Sequence, residues 1–427
     1  MHILYVYQFY NSPDCSTTAK HHGFIKYFVD QGHKVSLVSS RTFLDQRITN
    51  EFEWLPKGVD ATHIHVPYAN EMGVARRSIA FADYMVRALA AGLRMEKPDV
   101  VFGISTPLTT AWTARQIARI KRVPWVFEVK DLWPLVPIEV GAIGNPLAQR
   151  VLFRAERKLY ESAAHVISLS PGMTEYIVGT GTPPEKITTI VNGTDFHLID
   201  RPNEARLAAL RAKHGLAGKK VVLYGGKFGR MNDIPMLLRA AERLQHRDDI
   251  RFVFIGYGFL QPQVDEGAER LTNVSTVPTL PKHQMLEWFR LADLSLVTFI
   301  NVPSLGTNSP SKLYDSLAGR TPVIVTNPGW TKDLVEREKV GFFVSTGNDA
   351  ELATAIEQAF ANVSELAAMA ERGRSLAERD FDRRDHVRRL EAVLQAVVDR
   401  EPVLARVASV DEQTEGKQKN HRAIRMS

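Results

Sequence analysis

Short apolar runs rich in β-branched and aromatic residues recur along this chain, separated by longer stretches in which apolar positions return every three to four residues. In the first half the runs are His2–Tyr7, Lys34–Ser39, Thr62–Val66, Val100–Ile104, Trp125–Val129, His165–Leu169 and Ile187–Val191. Helical patterns lie between them at Thr18–Gln31, Ser78–Glu96, Thr109–Lys121 and Leu147–Ser162. Most runs are continuously apolar rather than alternating, which predicts strands buried on both faces of a parallel sheet. After Asn192-Gly193-Thr194-Asp195 the stretch Asp200–Gly218 is polar and helical. A second series then opens at Lys220–Tyr224, Arg251–Ile255, Val274–Val277, Leu294–Phe299, Pro322–Val325 and Gly341–Val344. The pattern predicts an α/β protein of two doubly wound, Rossmann-like domains facing across a deep cleft. The boundary is expected between residues 195 and 215, giving domains 1–197 and 198–375. A helix at about 376–400 is expected to pack back on the first domain, and the polar segment 401–427 reads as a disordered tail.

Length and composition agree with that division. A chain of 427 residues is too long for one ordinary core, and 44% apolar with 24% charged residues is the mixture of a soluble globular protein. The net charge of +6 fits anionic small molecules, anionic lipid or nucleic acid and selects none of them. A single cysteine, Cys15, excludes an internal disulfide framework and a cysteine-based zinc site, which fits a reducing cytosol. The chain opens directly into a strand, with no signal-peptide pattern. Its most apolar long segment, Ser78–Met95, is interrupted by Asp83, Arg87 and Arg94 and is a poor spanning helix. With Arg76, Arg77 and Lys97 around it, it is either a core helix or one that lies on a bilayer surface.

Candidate chemistry concentrates at strand ends. Asn308–Thr326 (NSPSKLYDSLAGRTPVIVT) reads as a loop, a short helix and a buried strand, placing Asn308, Ser309, Ser311 and Lys312 beyond the end of the preceding strand. A helix N-terminus and a lysine there suit an anion, most plausibly phosphate; a plain crossover with a solvated lysine is the alternative. Tyr224-Gly225-Gly226-Lys227-Phe228-Gly229-Arg230 is a glycine turn with two cations, and Ile255-Gly256-Tyr257-Gly258 is a second glycine turn. Neither completes a Walker or dinucleotide fingerprint. Glu128-Val129-Lys130-Asp131-Leu132-Trp133-Pro134 ends another strand with three ionisable groups. Ser170 is placed to cap a helix, and Asn192-Gly193 closes the first domain at a hinge. Asp380-Phe381-Asp382 follows no strand and reads as solvated charge. His63 and His65 would share one strand face, too few ligands for a metal. There is no H-E-x-x-H, C-x-x-C or G-x-S-x-G.

These segments, in this order and spacing, resemble the GT-B glycosyltransferases, specifically the large retaining family four, over residues 1 to about 395. The resemblance rests on QGHKVSLVSS, KPDVVFGIST, VPWVFEVKDLWP and SLSPGMTEYIVGTGTPPEKITTIVNGTD in the first half. VLYGGKFGRMNDIPMLLRAAERL, FVFIGYG, SPSKLYDSLAGRTPVIV and VGFFVSTGNDAELATAI carry it in the second. The DLWP and PSKL forms are similar to the branch with O-antigen or capsule fucosamine and fucosyl transferases. The resemblance implies a GT-B fold and a hexosyltransferase-type enzyme that retains anomeric configuration without a metal or other cofactor. A UDP- or GDP-sugar would sit on the second domain and a lipid-linked or glycan acceptor on the first. It also implies work in cell-surface glycan synthesis at the cytoplasmic side of the membrane, with peripheral contact through 76–97 and no nucleic acid. By the same carry-over Gly226, Lys227, Arg230, Ser311 and Lys312 would hold the diphosphate. Asp315, Gly256, Thr279 and Leu280 would hold ribose and base, and Lys130 and Asp131 would face the reacting sugar. Asn232 stands where many members carry a second basic residue, and Thr307 stands where the first of two glutamates is expected, Asp315 taking the second place. A sugar-nucleotide epimerase on the same fold and a catalytically silent nucleotide-sugar-binding subunit are the alternatives.

Overall fold

The computed structural model describes residues 1–10, 20–41, 54–68, 72–412 and 414. Cys15 lies outside them. The chain forms two compact units, residues 1–191 with 384–427, and residues 192–383.

Unit 1 holds a seven-stranded sheet of β1 (His2–Val6), β2 (Lys34–Ser40), β3 (Asp60–Ile64), β4 (Val100–Ile104), β5 (Trp125–Val129), β6 (His165–Ser168) and β7 (Ile187–Thr189). All pairings are parallel, in the order β3-β2-β1-β4-β5-β6-β7. The central strands are buried along their whole length, as their largely apolar runs predict, with Glu128 of β5 as a buried carboxylate among them. Ile3, Tyr5, Phe24, Phe28 and Phe102 form the core on one face. The Arg383–Asp399 helix contributes Val387, Leu390, Val393 and Leu394 to the same core.

Unit 2 repeats the plan with six parallel strands: β8 (Lys220–Gly225), β9 (Ile250–Ile255), β10 (Val274–Val277), β11 (Leu294–Val297), β12 (Val323–Val325) and β13 (Gly341–Phe343). Their order is β10-β9-β8-β11-β12-β13. In each unit the order reverses once, between β1 and β4 and between β8 and β11. Ligands of doubly wound sheets bind outside the strand carboxyl ends at such a point.

Three expectations are corrected. The division falls at Val191/Asn192 rather than 197/198, because Asn192 already belongs to unit 2, its Nδ2 donating to the Ser309 carbonyl at 2.7 Å. The segment 401–427 is not wholly a tail: residues 403–412 are helical, and Val407 is buried in the unit 1 core. Asp380-Phe381-Asp382 is not merely solvated charge. It separates the Val363–Asp380 helix from the Arg383–Asp399 helix, with Phe381 buried edge-on against Tyr314. The Phe381 carbonyl accepts from the Thr194 amide at 2.8 Å, so a segment distant in sequence secures the joint.

Candidate functional site

In unit 2 the end of β8 and the segment after β11 meet at the switch point. β8 runs through Tyr224 into Gly225-Gly226, and β11 leads through a short 3-10 turn, Pro303–Thr307, to the Ser311–Ala318 helix. Gly226 has φ of 144°, and a Cβ there would stand 3.4 Å from Lys312 Nζ. Glycine thus keeps the lysine head group approachable beside an exposed backbone turn. The Lys312 ammonium lies 3.9 Å from the centroid of the Tyr224 ring. Its nitrogen is buried and has no hydrogen-bond partner among the described residues. Burial alone pulls its pKa down to about 7. A buried lysine held by a ring face in this way keeps its N–H donors clear of the protein groups around it.

The second glycine turn supports the first. Gly256 has φ of 155°, and a Cβ there would stand 1.8 Å from the Gly226 carbonyl oxygen, so only glycine lets the two turns meet. The Gly226 amide donates to the Ile255 carbonyl and the Phe228 amide to the Tyr257 carbonyl, both at 2.8 Å. Gly256 is therefore a packing residue of the cradle. Lys227 is exposed, and its carbonyl accepts from the Tyr224 hydroxyl at 2.8 Å. Arg230 is exposed and lies 3.7 Å over the Phe259 ring. Ser311 is exposed in the first turn of its helix. Thr279, exposed, and Leu280, half-buried, follow the edge strand β10.

Asp315 is buried and engaged within unit 2. Its side chain is only 2% exposed; one oxygen accepts from Thr194 Oγ1 at 2.8 Å and the other pairs with Lys282. It ties the Ser311–Ala318 helix to the start of the Lys282–Leu291 helix and to the first residues of unit 2. Lys282 and Thr194 were not singled out in the sequence; partners so far away leave no local spacing signal. Thr307 Oγ1 donates to the Ser304 carbonyl at 2.8 Å. Gly193 has φ of 62°, and its carbonyl accepts from Arg383 at 2.9 Å.

In unit 1 the strand ends gather a second cluster. Lys130, just past β5, donates through Nζ to the Tyr7 hydroxyl at 2.7 Å, and Asp131 accepts from Thr106 Oγ1 at 2.8 Å. Both bonds lead back to the switch point, since Tyr7 follows β1 and Thr106 follows β4. Glu128 is fully buried, 3.2 Å from Lys20 Nζ and 3.1 Å from His21 Nε2. Burial opposes its charge, but Lys20, His21 and Lys130 outweigh it and hold the carboxyl well below its ordinary range. Burial likewise works against the Lys130 ammonium, yet Tyr7, Glu128 and Asp131 raise its pKa. His21 is pushed down to about 4 by burial, against the pull of Glu128, and stays neutral. Tyr7, Lys20 and His21 had not been singled out as site residues. Ser170 accepts from the Met173 amide at 3.0 Å and caps the Pro171–Gly179 helix.

Among the described residues no group of three or more His, Cys, Asp or Glu side chains is placed to hold a metal, and no helix is long and apolar enough to cross a membrane.

Residues 21–193 match the glycosyl transferase 4-like domain, and residues 208–376 match the glycosyl transferases group 1 family. WcaI of Escherichia coli K12, named as a candidate colanic acid biosynthesis glycosyl transferase, is 22% identical over 347 residues, 77% of this chain and 84% of its own. The alpha-D-kanosaminyltransferase of Streptomyces kanamyceticus is 25% identical over 208 residues, 48% of this chain and 53% of its own. Among solved structures, Anabaena Alr3699/HepE in complex with UDP and glucose aligns with a TM-score of 0.69 at 17% identity, over 93% of this chain and 100% of that one. Sucrose-phosphate synthase from Thermosynechococcus elongatus aligns with a TM-score of 0.72 at 16% identity, over 94% of this chain and 100% of that one. At such identities the likeness is one of fold.

Proposed function

We propose, from the premise that this chain is a glycosyltransferase of the GT-B fold, that its donor is a UDP- or GDP-sugar held by unit 2. The observation that carries this reading is Lys312: a buried lysine head group with no hydrogen-bond partner among the described residues, beside the Gly226 turn. Lys312, the Gly226 turn and Lys227 would stabilise the departing diphosphate as its charge develops, which is the main demand of the transfer. The reaction retains anomeric configuration and needs no metal. Lys130 and Asp131 of unit 1 are the residues proposed to face the reacting sugar.

The acceptor is a lipid-linked or polysaccharide precursor of a cell-surface glycan, at the cytoplasmic face of the membrane. The name of WcaI supports a polysaccharide role, and the fucosyl or fucosamine branch rests on the DLWP and PSKL forms alone. The Val74–Arg94 helix supports peripheral membrane contact. Ile79 is 69% and Val86 63% exposed on it, with Arg76, Arg87 and Arg94 also exposed.

A second reading, a catalytically silent binding subunit, is favoured by Thr307 in a carboxylate's expected place and by Asp315 already engaged with Lys282 and Thr194. Calorimetric titration with UDP and GDP, then turnover of a labelled donor panel with membrane extract, separates the readings. Lys312→Ala is expected to weaken nucleotide binding about 10- to 100-fold with the fold kept, the worth of a hydrogen bond to a charged group. Unchanged affinity would remove Lys312 from the site. Tight binding with no turnover of any donor would leave the silent subunit.

A further inference from the structure

We propose that Tyr224 is a positioning residue that holds the Lys312 ammonium uncompensated and ready for a diphosphate, an inference that rests on the donor-site reading above. Tyr224 precedes the glycine turn at the end of β8 and is fully buried. Its ring attracts the ammonium, 3.9 Å from its centroid, through the negative face of the π-system. A ring face stabilises a cation without neutralising it and without occupying its N–H donors. A carboxylate at position 224 would do the reverse, satisfying Nζ and repelling an incoming phosphate. Among the described residues this buried nitrogen has no hydrogen-bond partner, so no protein group there competes with a phosphate for its donors.

The same side chain acts at its other end. The Tyr224 hydroxyl donates to the Lys227 carbonyl at 2.8 Å, so one phenol fixes both the cation and the glycine turn beside which the cation stands. Ring and hydroxyl therefore have separable roles. Tyr224→Phe keeps the seat for Lys312 and loses only the bond to the turn. Tyr224→Leu loses both.

The test is a double-mutant cycle on the full chain, read by calorimetric titration with inorganic pyrophosphate, UDP and GDP. Tyr224→Phe is expected to stay within about threefold of the unaltered chain. Tyr224→Leu should lose up to about 30-fold, the scale of a desolvated cation–π contact. In a Lys312→Met background Tyr224→Leu should cause no further loss, because its effect runs through the lysine. Equal losses in both backgrounds would reduce Tyr224 to a core residue and overturn the proposal. Should Tyr224→Leu fail to fold, phenylalanines of increasing ring fluorination at position 224 preserve the shape while draining the negative face. Affinity should then fall with each fluorine, and a flat series overturns the proposal. Coupled pyrophosphate binding without UDP or GDP binding would sink the nucleotide-donor reading and leave this one standing. No pyrophosphate binding at all would overturn it.

Discussion

Lys312 sets the needs of the free protein against those of the complex, and pH exposes the conflict. Its folded pKa of about 7 lies below the roughly 10.4 of an unfolded lysine. Between those values the unfolded chain binds more protons, so stability should rise with pH from about 7 upward. Lys312→Met removes the uncompensated charge. It is expected to raise stability below pH 7 by about 1–4 kcal/mol, by analogy with apolar replacement of buried ions, and to flatten that rise in urea unfolding. Nucleotide affinity has the opposite sign. The diphosphate takes the ammonium, so above pH 7 binding must draw in a proton and affinity should fall by up to about tenfold per unit. Calorimetry in buffers of different ionisation heat reads this uptake directly; no uptake between pH 7 and 9 would contradict it. Lys312 was legible in the sequence because a lysine opening a helix after a buried strand marks a strand-end site. The role of Tyr224 was hidden, since an aromatic within an apolar run reads as core. Asp315 is expected from the resemblance to hold ribose, and its partners in the fold carry no sequence signal. It is flanked by buried Leu313, Tyr314, Ser316 and Leu317, and its partner Lys282 comes from another element.

Whole elements followed the hydrophobic pattern most closely where burial is two-sided. The apolar runs in β1, β4 and β8 left little but a parallel strand. The late charged stretch was less transparent. A helical pattern from Glu371 to Arg400 conceals a break at Phe381, because the interaction that makes the break comes from Thr194. The segment Ser78–Met95 fits either a core helix or a surface-lying one, and the Val74–Arg94 helix that contains most of it has both faces. Ala80, Tyr84 and Ala88 are buried, while Ile79 and Val86 stand out on the other side. If that outer face rests on anionic lipid, Ile79→Asp with Val86→Asp should cut co-sedimentation with phosphatidylglycerol vesicles by about tenfold or more, losing apolar insertion and adding repulsion. Neutral phosphatidylcholine vesicles should bind the unaltered chain weakly. Equal sedimentation of the double variant and the unaltered chain would show that the face has no part in lipid contact. Because the inner face is untouched, the thermal transition should not move.

At the scale of the whole molecule, the two series of strands announce two sheets, and the helical pattern at about 376–400 is expected to carry the chain back to the first. The chain leaves unit 1 at Val191 and re-enters it at Arg384. The returning helix is structural: Val387, Leu390, Val393 and Leu394 lie in the core with Ile3, Tyr5 and Phe28, and Glu391 accepts from the Tyr27 hydroxyl at 2.7 Å. Truncating one such side chain to alanine costs up to about 2–5 kcal/mol, so deleting four is on the scale of the roughly 5–15 kcal/mol that holds a domain together. A chain ending at Arg383 should therefore lose unit 1 and keep unit 2, whose own joint through Arg383 to Asp195 and the Gly193 carbonyl survives. Tryptophans report the units separately, with Trp54, Trp112, Trp125 and Trp133 in unit 1 and Trp288 and Trp330 in unit 2. In the truncated chain the unit 1 tryptophans should show no cooperative urea transition. The unit 2 transition should persist, and UDP or GDP at 100 times its dissociation constant should stabilise it by about 2.7 kcal/mol. Two intact transitions would show that the returning helix is dispensable to unit 1. A unit 2 transition that neither nucleotide moves would place the donor site elsewhere.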